Sequence, residues 1–228
     1  AVALPFFAGS TLLAITVLWC QAMVSEVSCV EMWEPNALRE LMLADGYHGA
    51  FHAFERLSRV MRFQAGSGIP GLTWQRKLPL VTGDVSSSTS FLRAAAAREI
   101  GIRSALSLPL SRSGSLNSVA LFLSAGSPPL GRAVEIWMPD PQQRLHVSEA
   151  LYAPPLSKFE RDNRCVEFQP GHGLVGKVFD TGLPLAMERR AEEAFSGHVG
   201  TAEADLSLAV GLPIHDGRAV RAVVTLLA

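Results

Sequence analysis

Residues 54–71, FERLSRVMRFQAGSGIPG, and residues 159–176, FERDNRCVEFQPGHGLVG, are one segment written twice. Nine of the 18 positions are identical at an offset of 105 residues. The correspondence runs upstream, pairing Tyr47 with Tyr152 and VEMWEP (Val30 to Pro35) with VEIWMP (Val134 to Pro139). It also runs downstream, pairing Leu78-Pro79 with Leu183-Pro184. A repeat this long predicts two copies of one structural unit. The 228 residues divide into halves that are each large enough to bury a core.

A third, partial repeat runs through the chain. VALPFFAGSTLLAITVLW (from Val2), LSLPLSRSGSLNSVALFLS (from Leu106) and AVGLPIHDGRAVRAVVTLLA (from Ala209) share a layout. Each is an apolar run with a proline (Pro5, Pro109, Pro213), a polar or glycine turn, and a second apolar run. Turn residues between two β-rich runs predict a β-hairpin. Residues 1–25 carry no charge and are long enough to span a bilayer as a helix. Arg112 and Arg218 in the two later copies argue against membrane insertion there. By analogy the first copy is expected to be a hairpin too, and a membrane span is not expected.

The predicted order is hairpin, unit, hairpin, unit, hairpin. Residues 1–23 form an N-terminal hairpin that completes or extends unit one, residues 24–125 form unit one, and residues 126–228 form unit two. Each unit opens with two strands: SCVEMW and ELMLADGY in the first, AVEIWM and RLHVSEALY in the second. STSFLRAAAAREI (Ser88 to Ile100) predicts a helix with Ser or Thr as N-cap and Gly101 as stop. Its counterpart RRAEEAFSGHVGTAEADLSL contains two glycines and predicts a broken helix.

GSGIPG (Gly66 to Gly71) and GHGLVG (Gly171 to Gly176) fit G-x-G-x-x-G. A dinucleotide fingerprint must open a long helix inside a βαβ crossover. Pro79 and Pro184, eight residues beyond the last glycine of each motif, end any helix after about two turns. The glycines are therefore expected to shape a tight turn and to let a short helix pack close to a sheet.

FQPGHGLVGKVFDTGLPL, followed by SLAVGLPIHDGRAVRAVVTLL, resembles the core of a GAF domain. FQAGSGIPGLTWQRKLPL, with SALSLPLSRSGSLNSVALFLS, matches the same pattern. VEIWMPD ahead of a G-x-G-x-x-G is similar to the GAF-like N-terminal region of NIN-like regulators, whose DNA-binding region has no counterpart here. The resemblance implies an α+β fold: two GAF-like units, each a central antiparallel sheet with few flanking helices, permuted so that hairpins are shared between sheets. It also implies a small-ligand pocket between sheet and helices. In unit one the pocket-facing candidates are Tyr47, Trp74, Asp84, Phe91 and Arg93, an aromatic wall with one acid and one base that suits a small polar ligand. Unit two has Phe179 in place of Trp74 and shows no clear acid–base pair.

Other chemistry is weakly marked. His48 and His52 have metal-binding spacing only on a helix, and Gly49 between them argues for a surface or packing role. Cys20, Cys29 and Cys165 lack CxxC spacing and predict neither a disulfide framework nor a zinc site. Cys165 aligns with Val60 and is expected to be a small buried hydrophobe, whereas Cys20 and Cys29 are expected in consecutive strands. A reducing, intracellular and soluble setting follows. Arg56, Arg59 and Arg62 have helical spacing and predict a solvated face. With a formal charge of −1, nucleic-acid binding is not expected.

These features point to a non-catalytic sensory or regulatory module, with no cofactor and no metal, that binds a small ligand or a protein partner such as a second copy of itself. The alternative is an accessory subunit of a larger assembly, its pockets filled by its own side chains.

Overall fold

The computed structural model describes residues 2–18, 27–112, 115–189, 197–217 and 219–228. The chain opens on a hairpin, β1 (Val2–Ala8) and β2 (Thr11–Leu18). Unit one follows with β3 (Val27–Pro35), β4 (Leu41–Tyr47), α1 (His52–Val60), α2 (Gly68–Arg76), β5 (Leu80–Thr82) and α3 (Ala94–Glu99). It closes on the hairpin β6 (Ser104–Arg112) and β7 (Ser115–Ser124). Unit two runs through β8 (Ala133–Pro139), β9 (Leu145–Tyr152), α4 (Ser157–Asn163), β10 (Glu167–Phe168), α5 (Gly173–Thr181) and β11 (Leu185–Glu188). It closes on β12 (Leu208–Asp216) and β13 (Ala219–Leu227).

The fold is α+β with antiparallel sheets and few helices. Unit one is a sheet of order β4-β3-β7-β6-β5, and unit two one of order β10-β9-β8-β13-β12-β11. In both, the closing hairpin is central and its second strand pairs with the opening strand. The three hairpins share one register: Pro5 opposes Ile15, Pro109 opposes Val119, and Pro213 opposes Val223. They also share one bulge, after Phe6, Leu110 and Ile214. A register repeated this closely reflects the same alternation of apolar side chains and the same turn placement in each copy.

Alternation assigns each strand two faces. Leu4, Leu108 and Leu212, with Phe6, Leu110 and Ile214, point inward and form one buried core. β1, β6 and β12 each pack against the other two, so three sheets share this core. The outer faces of the two larger sheets carry separate cores beneath the helices: Trp33, Phe54 and Leu121 in unit one, Trp137, Phe159 and Val223 in unit two. β6 and β7 are thus covered on both sides, and residues 104–110 and 118–124 are buried without interruption.

The two glycine motifs are built alike. Gly66 N donates to Gly71 O at 2.8 Å, and Gly171 N to Gly176 O at 2.8 Å. A Cβ at Gly71 would run into the backbone oxygen of Gln64, and one at Gly176 into that of Gln169. The last glycine of each motif therefore permits a backbone crossing. The nine-residue helices α2 and α5 end before Pro79 and Pro184.

Several expectations need correction. The helix predicted over Ser88–Ile100 contracts to Ala94–Glu99, with Arg93 at its N-cap. Asp84 accepts hydrogen bonds from the hydroxyls and backbone N–H groups of Ser86 and Ser87, which holds this stretch in a turn. Cys165 is exposed just beyond α4, and its counterpart Val60 is exposed at the last position of α1. Cys20 and residues 190–196 of the expected broken helix lie outside the described residues, and 197–205 run mostly as turns. Among the described residues no helix is long and apolar enough to cross a membrane.

Candidate functional site

Each large sheet buries one glutamate at the same place in the repeat. On β3, Val30 faces the shared core while Cys29 and Trp33 face the helices, and Glu31 lies between them in sequence on the helix side. On β8, Glu135 takes the same position beside Trp137. Neither glutamate has any exposed surface. An isolated carboxylate so placed is strongly unfavourable, so its partners define the site.

In unit one the partner is Arg93. Its guanidinium donates to Glu31 Oε1 at 2.5 Å and Oε2 at 2.7 Å, a bidentate pair. Ser58 on α1 accepts from Arg93 and donates to Glu31 Oε1 at 2.7 Å. His48 Nε2 lies 2.9 Å from the same oxygen, and Trp33 Nε1 donates to Oε2 at 3.1 Å. The guanidinium carbon sits 4.7 Å from the Phe54 ring centre, 5.2 Å from Phe91 and 5.4 Å from Trp33. An aromatic cage with a carboxylate floor is a cation site, and a side chain only 2% exposed fills it. Two buried nitrogens, His48 Nδ1 and Arg93 Nε, have no partner among the described residues.

Unit two solves the same problem with different residues. His198 Nε2 lies 2.8 Å from Glu135 Oε2, Thr225 donates to that oxygen at 2.8 Å, and Tyr152 donates to Oε1 at 2.8 Å. The His198 ring packs against Phe159, Trp137 and Phe168. Asn163, the counterpart of Ser58, holds the histidine loop through two 2.8 Å bonds to the backbone of Val199. An acid–base pair, not expected from the sequence of this unit, is therefore present as Glu135 and His198.

Burial pushes the Glu31 carboxyl up. The Arg93 charge, with hydrogen bonds from His48, Arg93 and Ser58, more than offsets this and holds it down at about 2. Burial likewise raises Glu135, and the His198 charge with bonds from His198, Tyr152 and Thr225 leaves it below the ordinary carboxylate value. Burial and the nearby Glu135 charge push the Tyr152 hydroxyl up. Burial, then the Glu31 charge, push the Cys29 thiol up to about 12, so it is held as an unreactive thiol.

Of the five residues singled out from the sequence, Arg93 and Phe91 meet in the cage, and Trp74 packs against the same core from α2. Tyr47 and Asp84 lie elsewhere. Tyr47 is 59% exposed, lining a cleft of about 430 Å³ beside β1. Asp84 is exposed and lines a surface cleft of about 520 Å³ with Arg98 and Arg103. Hydrogen bonds from Ser86 and Ser87 hold its carboxyl at about 2. The acid that pairs with Arg93 is Glu31. Its signal lay in the repeat: VEMW and VEIW each place a carboxylate on the apolar alternation of an opening strand. His48 joins the cluster and His52 stays exposed. Among the described residues no group of three or more His, Cys, Asp or Glu side chains is placed to hold a metal. Arg59 pairs with Glu55 on the solvent side of α1, and Arg62 donates to backbone oxygens where that helix ends.

No family model matches the chain, and no curated protein matches it. Solved structures resemble part of it. The Nlh2 GAF domain of A. aeolicus in an inactive state is 22% identical with a TM-score of 0.36, over 43% of this chain and 57% of that one. Free methionine-R-sulfoxide reductase from Neisseria meningitidis in complex with its substrate is 21% identical with a TM-score of 0.35, over 43% and 53%. The GAF domain of a phosphoenolpyruvate-protein phosphotransferase from Coxiella burnetii is 15% identical with a TM-score of 0.37, over 43% and 57%. The chain spans little more than half the length of each of these structures.

Proposed function

We propose that the chain is a non-catalytic regulatory or assembly module that acts through protein contacts, with both helix-side pockets filled by its own basic side chains. One observation carries this reading: the bidentate Arg93–Glu31 pair occupies the aromatic cage of unit one. The His198–Glu135 pair does the same work in unit two. The cage itself favours a second reading, a sensory site in which a small guanidinium or ammonium ligand displaces Arg93.

Thermal melts separate the two. The wild-type protein is melted with arginine, agmatine and choline, and with nucleotides, neutral amino acids, nitrate and tetrapyrroles. A ligand bound only to the native state raises Tm. No shift is expected from any of them, while Arg93→Gly melts lower and is partly rescued by millimolar methylguanidine. A wild-type shift confined to the cations would assign the sensory reading, and a shift with another class would overturn self-filling.

A further inference from the structure

The hairpin β1–β2 has the same register, proline and bulge as the two closing hairpins, yet it lacks what covers them. Ile15 corresponds to Val119 and Val223, and Val17 to Leu121 and Thr225, by offsets of 104 residues. The four counterparts have no exposed surface, while Ile15 is 55% and Val17 44% exposed. In the complete units β7 pairs with β3 and β13 with β8, whereas β2 pairs only with β1 among the described residues. An isolated two-stranded hairpin with a bare apolar face is marginal in water, and its free edge invites another strand.

Two other surfaces tell the same story. Units one and two meet where β5 approaches β9: Val81 N donates to the Glu149 carboxylate at 3.4 Å, and Gly83 lies against Leu151. The counterparts of Glu149 and Leu151 at an offset of 105 are Ala44 and Gly46 on β4. With Val2 and Ala3 they line the 430 Å³ cleft beside the hairpin. At the far side, Leu183 and Leu185 are exposed, whereas their counterparts Leu78 and Leu80 are half-buried. The hairpin face, the cleft on β4 and the margin of β11 are the three contacts that one more unit would make in a three-way arrangement.

We propose that β1–β2 is the closing hairpin of a third unit of the same architecture, whose opening strand and glycine-motif helix belong to polypeptide N-terminal to Val2. Chain order supports this source. β3 precedes β6–β7 and β8 precedes β12–β13, so the same order places the opening half ahead of β1.

The test is maleimide labelling in a Cys20→Ser, Cys165→Ser background of the 228-residue chain and of the protein carrying its natural N-terminal extension. Ile15→Cys and Leu185→Cys are the probes, with Leu38→Cys, at a site 79% exposed, as control. Both probes are expected to label readily in the 228-residue chain and roughly tenfold or more slowly in the extended protein, with the control unchanged. Equal labelling in the two proteins overturns the proposal, as does a natural polypeptide that starts too close to Val2 to supply an opening half. Protection of Ile15→Cys without Leu185→Cys assigns a different partner. Protection that appears in the 228-residue chain alone as concentration rises, with a doubled mass by light scattering, assigns a second copy.

Discussion

The most demanding residue in this fold is Glu31, a carboxylate with no exposed surface inside an apolar sheet face. Its pair with Arg93 offsets the loss of hydration without implying a large net gain, because replacing both partners with apolar groups is often neutral. Removing one is a different matter. Arg93→Met is expected to cost about 3–5 kcal/mol by leaving a buried charge alone, and adding Glu31→Leu should recover most of it. Urea unfolding of the single and double variants measures this. The acid limb tests the same pair. Because the folded carboxyl is held at about 2 against an ordinary 4.5, its contribution is complete above 4.5 and is lost as pH falls toward 2. The double variant should lack that part of the pH dependence. In the sequence, Arg93 and Phe91 were legible as pocket residues, but Asp84 was the nearer acid. Local serines claim Asp84, and Glu31 reaches Arg93 across 62 residues.

Among elements, the hairpins were the most legible, because turn residues sit between apolar runs of alternating pattern in three copies. The short glycine-motif helices were legible from their prolines. The alanine-rich segment was not, since side-chain capture by Asp84 and docking of Arg93 shorten the helix against its propensity. Gly71→Ala and Gly176→Ala each force a Cβ onto a carbonyl oxygen of the crossing chain. Each should cost about 1–3 kcal/mol, as overpacking does. Equal losses in the two variants, measured by thermal unfolding, would confirm that both motifs do the same architectural work. A wild-type-like Tm would contradict the close crossing.

Across the whole molecule, the inner faces of three hairpins form one core, so the two units are not independent. Calorimetry should show one cooperative transition for the 228-residue chain. Leu108→Ala and Leu212→Ala, although in different units, should each lower that single transition by about 2–5 kcal/mol. Two resolved transitions, with each variant shifting only one, would show that the shared core does not couple the units.

The repeat could be read directly from the order of residues, and with it came the succession of hairpins and strands along the chain and the paired glycine turns. These depend on local alternation and turn chemistry, which neighbouring residues specify. Which basic side chain neutralises each buried glutamate could not be read that way. Arg93 in one unit and His198 in the other arrive from segments 62 and 63 residues away, where the two copies no longer share a sequence. Their choice rests on long-range packing in a low-dielectric interior, where a charge is tolerated only if a distant partner is brought within hydrogen-bonding distance.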